Sequence, residues 1–109
     1  MRKGFKEQLI HLNLGKIKEA VKNERAIFIE RPENKKTLYD YNLSTNDVYR
    51  IIVELTEEDY YKGPEDDRDG SAGYIWVFIH PLSGCRIYIK LKLFAIDEVD
   101  YVKILSFHE

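Results

Sequence analysis

The chain has 109 residues, the size of one domain. Its one cysteine, Cys85, excludes an internal disulfide and any cysteine-rich zinc site. With 33% charged residues, 44% hydrophobic residues and a net charge of −2, it is composed like a globular protein. It is unlike a general nucleic-acid binder, which is usually basic overall.

The net charge hides an uneven distribution. From Met1 to Arg50 eleven Lys or Arg residues stand against seven acids. From Glu54 to Asp69 eight acids stand against two cations. A basic face beside an acidic loop is compatible with that pattern. The first residues lack the continuous apolar run of a signal peptide. No stretch approaches the roughly 18 apolar residues of a membrane span. A cytoplasmic protein, with a single domain over residues 1–109, is therefore expected.

Phe5, Leu9 and Leu12 recur at helical spacing, and so do Leu14, Ile17 and Val21. They predict one amphipathic helix over residues 3–23, with Lys6, Lys16, Lys18 and Lys22 off its buried stripe. Ala26 to Ile29 is short, apolar and bounded by charges, which fits a strand. Arg31-Pro32-Glu33-Asn34 reads as a break, because proline lacks a donor and restricts the residue before it. A short helix over Lys36 to Tyr41 follows.

Ser44-Thr45-Asn46-Asp47 has the form of a capping box. Val48, Ile51, Ile52 and Leu55 then recur at i, i+3, i+4 and i+7, the best helical pattern in the chain. Thr56-Glu57-Glu58-Asp59 repeats the cap and predicts another turn running into Tyr60-Tyr61-Lys62. From Gly63 to Gly73, glycine, proline and clustered acids predict a mobile loop. Its carboxylates do not match the spacing of an EF-hand, so a solvated loop is expected rather than a calcium site.

Three strands complete the chain. Tyr74 to His80 sets Tyr74, Trp76 and Phe78 against Ile75, Val77 and Ile79. Gly84 to Phe94 alternates almost without fault: Ile87, Ile89, Leu91 and Leu93 on one face, Arg86, Tyr88, Lys90 and Lys92 on the other. Tyr101 to His108 closes the sheet. Short links between them predict an antiparallel meander. The fold class is α+β, with N-terminal helices on one face of a twisted, mainly antiparallel sheet.

Most kinds of site have no sequence support. There is no Gly-x-Ser-x-Gly elbow and no phosphate-binding glycine loop. His11, His80 and His108 lack zinc-ligand spacing, and no metal or cofactor is expected. Cys85 follows His80 by five residues, but no motif surrounds either. The polar face of the sheet remains. Lys62, Arg86, Tyr88, Lys90 and His108 are groups that bind phosphate and move protons. Lys92 adds a cation, and aromatic residues such as Tyr61 and Trp76 offer stacking surfaces for bases. That set suits RNA cleavage by the ribose 2′ hydroxyl. The reaction needs a base, an acid and cations around the developing phosphorane charge. The plain alternative is a sheet whose outer face is merely solvated.

Four segments carry a resemblance. They are Leu55-Thr56-Glu57-Glu58-Asp59-Tyr60-Tyr61-Lys62, Ile75-Trp76, Ile87-Tyr88-Ile89-Lys90 and Ile104-Leu105-Ser106-Phe107-His108. In this order, and from about Ile17 to the C-terminus, the chain resembles the motility quorum-sensing regulator (MqsR) toxins, within the broader RelE-like toxins. The resemblance implies a bacterial mRNA interferase held inactive by a cognate antitoxin protein, with mRNA as substrate. It places catalytic positions at Lys62, Tyr88 and His108; the reading of the sheet face itself makes Tyr61, Trp76, Arg86, Lys90 and Lys92 the RNA-binding candidates. The chain departs from the family at Val77, where a glutamine is usual, and at His108, where a lysine is usual. Gly63-Pro64 also replaces the family's Ser-Met. The rival reading is a non-catalytic RNA- or protein-binding domain that keeps the fold.

Overall fold

The structure, a computed structural model, describes residues 4–109; Lys3, the expected first residue of the N-terminal helix, lies outside them. Helix α1 spans Phe5–Lys22 and buries Ile10, Leu14, Ile17, Ala20 and Val21. Phe5 and Leu12, both expected on this stripe, are instead 80% and 56% exposed. The stripe that the sheet covers runs through Ile10 and Ala20, which the spacing did not favour.

Strand β1, Ala26–Phe28, runs parallel to the last strand. Helix α2 spans Pro32–Asp40. The proline expected to break the chain starts this helix. At the first helical position its missing N–H has no intrahelical partner to lose, and its fixed φ suits the turn. Helix α3, Thr45–Glu54, has the expected capping box. The Asp47 amide donates to Ser44 Oγ at 3.1 Å, and the Ser44 amide donates to Asp47 Oδ2 at 2.8 Å. A 3-10 turn at Glu57–Asp59 repeats the cap, with Asp59 accepting from the Thr56 amide at 2.9 Å.

The helical turn expected through Tyr60-Tyr61-Lys62 is absent. Tyr60–Asp66 is strand β2, paired antiparallel with β3, Tyr74–Leu82. Its register shifts on either side of Lys62. Gly63 makes the approach possible: its φ is +128°, and a Cβ there would sit 2.7 Å from the Ile75 carbonyl oxygen. Strands β4, Cys85–Ile96, and β5, Val99–His108, complete the meander. The turn at Ser83–Gly84 and the turn at Asp97–Glu98 each have two residues at positive φ, the geometry that matches strand twist in a tight hairpin.

The sheet order is β1-β5-β4-β3-β2. One face holds the core: Trp76, Phe78, Ile87, Ile89, Leu91, Leu93, Val102, Ile104 and Phe107 pack with the buried residues of α1 and with Val48, Ile52 and Leu55. Helices on one face of a mixed five-stranded sheet make this an α+β fold, as the sequence predicts. No helix among the described residues is long and apolar enough to cross a membrane.

Candidate functional site

The opposite face of the sheet is built in rows, because residues paired across an antiparallel sheet share a face. Tyr88 pairs with His108 on one side and Ile79 on the other. Two residues along β4, Lys90 pairs with Ser106 and with Val77, and Val77 pairs with Lys62. Two further, Lys92 pairs with Lys103 and with Ile75, and Ile75 pairs with Glu65. Neighbouring strands lie about 4.8 Å apart. The rows therefore gather Tyr88, Lys90, Lys62 and Lys103 around one hollow.

That hollow is a cleft of about 400 Å³. Tyr88, Lys90 and Lys92 of β4 line it, with Lys103 and Leu105 of β5 and Lys62, Glu65 and Asp66 of β2. Ile75 contributes an apolar patch, Arg31 reaches in from the start of α2, and Asp67, Arg68 and Asp69 come from the β2–β3 segment. Lys62 lies 3.8 Å from Glu65, a loose and exposed pair. Lys103 Nζ sits over the Phe94 ring at 5.3 Å. Strands β4 and β5 and Arg31 bring only cations as charged groups, whereas β2 and the segment after it mix Glu65, Asp66, Asp67 and Asp69 with Lys62 and Arg68.

His108 stands at the rim. Its ring stacks on Tyr88, with centroids 5.7 Å apart and planes 26° from parallel. It lines an adjoining hollow with Lys36, Tyr41 and Glu109 rather than the cleft itself. His108 Nδ1 is 2.9 Å from the Glu109 carbonyl oxygen. A carbonyl only accepts, so this contact assigns the proton to Nδ1 and leaves Nε2 to exchange protons with a ligand.

The strand end that carries His108 is held by Asn34. This side chain is 1% exposed. Its Nδ2 donates to the carbonyls of Ile29 at 2.9 Å and Leu105 at 3.1 Å, and its Oδ1 accepts from the Phe107 amide at 2.9 Å. Strand β1 pairs with β5 only as far as Ile104. Beyond it the Asn34 amide satisfies the edge groups that a longer β1 would have taken. The Tyr41 hydroxyl then donates to Glu109 Oε1 at 2.5 Å. Hydrogen bonding with the Cys85 thiol, and next with Glu109, raises the Tyr41 phenol above its ordinary range; hydrogen bonds with Cys85, and next with Tyr41, hold the Glu109 carboxyl low.

The other expected residues fall elsewhere. Trp76 is 2% exposed on the core face, edge-on to Tyr60, and offers no surface for a base. Tyr61 is exposed at the β2 bulge and does not line the cleft. Arg86 is exposed beside the β3–β4 turn, opposite Pro81, and extends the cation row beyond the cleft. Lys92 is 4% exposed, with Nζ donating to Asp67 Oδ2 at 2.8 Å. The solvated loop expected around Asp67 is therefore tied to the sheet. His80 pairs with Asp59 at 3.1 Å and braces the 3-10 turn.

Sequence reasoning missed Arg31, Lys103 and Asn34. The alternation of Tyr101, Lys103 and the core residues between them carried a signal for Lys103. Arg31 and Asn34 lie in the stretch whose proline reads as a break. Among the described residues no group of three or more His, Cys, Asp or Glu is placed to hold a metal ion.

No protein of curated function matches the chain. A family model described as motility quorum-sensing regulator, toxin of MqsA, matches residues 10–109. That match covers nearly the whole chain, including the cleft and both strands that carry Tyr88 and His108, and the chain belongs to this family of toxins from toxin–antitoxin systems.

Proposed function

We propose that the chain is an endoribonuclease of the mRNA interferase type, neutralised by a cognate antitoxin protein. The observation that carries this reading is the Tyr88–His108 stack at the rim of a cation-lined cleft. Lys62 and Lys90 hold the scissile phosphate and counter the charge that grows on it as the 2′ oxygen attacks phosphorus. The 2′ hydroxyl must lose a proton and the 5′ oxygen must gain one. Solvent takes the first; His108 supplies the second through Nε2, while its Nδ1–H goes on donating to the Glu109 carbonyl. Tyr88 fixes the imidazole plane and offers its hydroxyl to the phosphate. Arg31 and Lys103 take flanking phosphates, and Arg86 extends the track.

One observation favours a binding-only reading: Val77, buried and apolar, stands between Lys62 and Lys90 in the central row where the related toxins carry a glutamine. Expression with and without a candidate antitoxin, sought as a small protein encoded beside the gene, separates the two. The proposed activity gives growth arrest and RNA fragments ending in 2′,3′-cyclic phosphate, both suppressed by the partner and by His108→Ala. Intact RNA in arrested cells leaves only the binding reading.

A further inference from the structure

One lysine on the cationic face is covered. Lys92 alternates with Tyr88 and Lys90 along β4, yet the segment between β2 and β3 closes over it. Lys92 Nζ donates both hydrogen bonds that join this segment's side chains to β4: one to Asp67 Oδ2 at 2.8 Å, the other to Ser71 Oγ. The segment holds its own shape. Asp67 Oδ1 accepts from the Asp69 amide at 3.2 Å, and Asp69 Oδ1 accepts from the Ser71 amide at 2.8 Å. Its anchor is Gly73, where a Cβ would lie 2.7 Å from the Leu93 carbonyl oxygen.

We propose that Asp67 is an intramolecular competitor for RNA, its carboxylate occupying on Lys92 the place that a substrate phosphate takes. The inference rests on the RNA reading of the same cleft. A carboxylate and a phosphodiester are alike to an ammonium: both offer anionic oxygens at hydrogen-bond distance. Asp67 and Asp69 line the cleft, so a phosphate seated on Lys90 or Lys103 also meets their negative charge. Because the bonds from Asp67 to Asp69 and from Asp69 to Ser71 lie within the segment, it lifts as a unit once the Lys92 contacts break. RNA then gains Lys92 and escapes the repulsion together.

The test uses the full chain and a fluorescent single-stranded 2′-O-methyl oligoribonucleotide, which presents phosphates but cannot be cleaved. Asp67→Asn removes the charge and keeps the turn-forming side chain. Asp97→Asn, on the exposed β4–β5 turn, makes the same change in net charge away from the cleft. Asp67→Asn is expected to bind about fivefold tighter or more, and Asp97→Asn less than about twofold. The salt dependence of Asp67→Asn steepens by about 0.7, the value for one added phosphate contact on a single strand. Adding Lys92→Ala to Asp67→Asn abolishes the steeper slope and most of the gain, leaving only the part that comes from relieved repulsion at Lys90 and Lys103. Acetylation of Lys92, read by mass spectrometry without RNA, rises in Asp67→Asn. If the parent binds RNA but Asp67→Asn binds no better than Asp97→Asn, or Lys92 reacts equally in both, the competitor role alone is overturned. If neither the parent nor Asp67→Asn binds RNA, the RNA reading falls and the competitor role falls with it.

Discussion

Tyr88 and His108 stand directly across from one another on β4 and β5, with their rings stacked 5.7 Å apart. The pairing places an imidazole, one residue from the end of the chain, at a fixed height above the cationic rows. Terminal residues are ordinarily loose unless something ties them down. Here the ladder to β4, the buried Phe107 and the Asn34 amide do so together.

His108→Ala is therefore expected to lower RNA cleavage by about 10²-fold or more, the usual worth of a placed proton donor. His108→Lys restores part of the activity and moves its optimum to higher pH, since an ammonium keeps its proton longer than an imidazolium. The measurement is single-turnover cleavage against pH for the three proteins. An alanine variant that cleaves as fast as the parent across the range removes His108 from the mechanism.

The cleft cations act on the substrate's charge rather than on its sequence. Replacing Arg31, Lys90 and Lys103 together by alanine should weaken single-stranded RNA binding and flatten its salt dependence by about 2, at roughly 0.7 per lost phosphate contact. The same three changes should leave thermal unfolding nearly unmoved, because surface substitutions usually cost within about 0.5 kcal/mol. Titrations at several salt concentrations check the slope. An unchanged slope means RNA, if bound, lies on another surface.

Asn34 offers a test of the scaffold. Asn34→Ala strands the Phe107 amide and the Leu105 carbonyl at a buried edge, at a cost of about 1–3 kcal/mol for each unsatisfied group. Chemical denaturation should show that loss, and hydrogen exchange at the Phe107 amide should quicken well before global unfolding. Cleavage should fall too, since His108 follows Phe107 directly. Retained protection at Phe107 would mean that another group holds the strand end.

What the sequence revealed depended on whether the deciding contacts were local. The α3 cap and the period of β4 are local, and both were legible to the residue. Strand β3 is apolar on both faces, so a period of two could not say whether Trp76 or Val77 faced the helices. The structure sends Trp76 to the core, and Val77 is buried on the site face. Strand β2 looked like the start of a loop because Gly63, Pro64 and the acids after them favour turns. Its pairing with β3 decided otherwise, across the chain. Lys92 carried the same alternation signal as Lys90. Partners 25 and 21 residues away, Asp67 and Ser71, distinguish them.

Asp67 makes the last prediction. The Lys92 ammonium beside Asp67, and next the Asp69 amide, hold the Asp67 carboxyl below its usual range. Asp69 is lowered as well, chiefly by the Ser71 hydroxyl and amide. A carboxyl whose pKa falls on folding binds its proton less readily in the folded chain than in the unfolded one. It therefore adds stability above its ordinary pKa of about 4, and that contribution drains away as pH falls through the ordinary value toward the lower, folded one. Asp67→Asn cannot titrate, so its deficit against the parent isolates this one group. Melting temperatures of the two proteins should differ by a constant amount from about pH 5 to 7 and converge below about pH 4. The deficit should also shrink with added salt, since the pair is only partly shielded from solvent. A gap that stays constant down to pH 3 would show that Asp67 holds the segment through its turn geometry and not through its charge on Lys92.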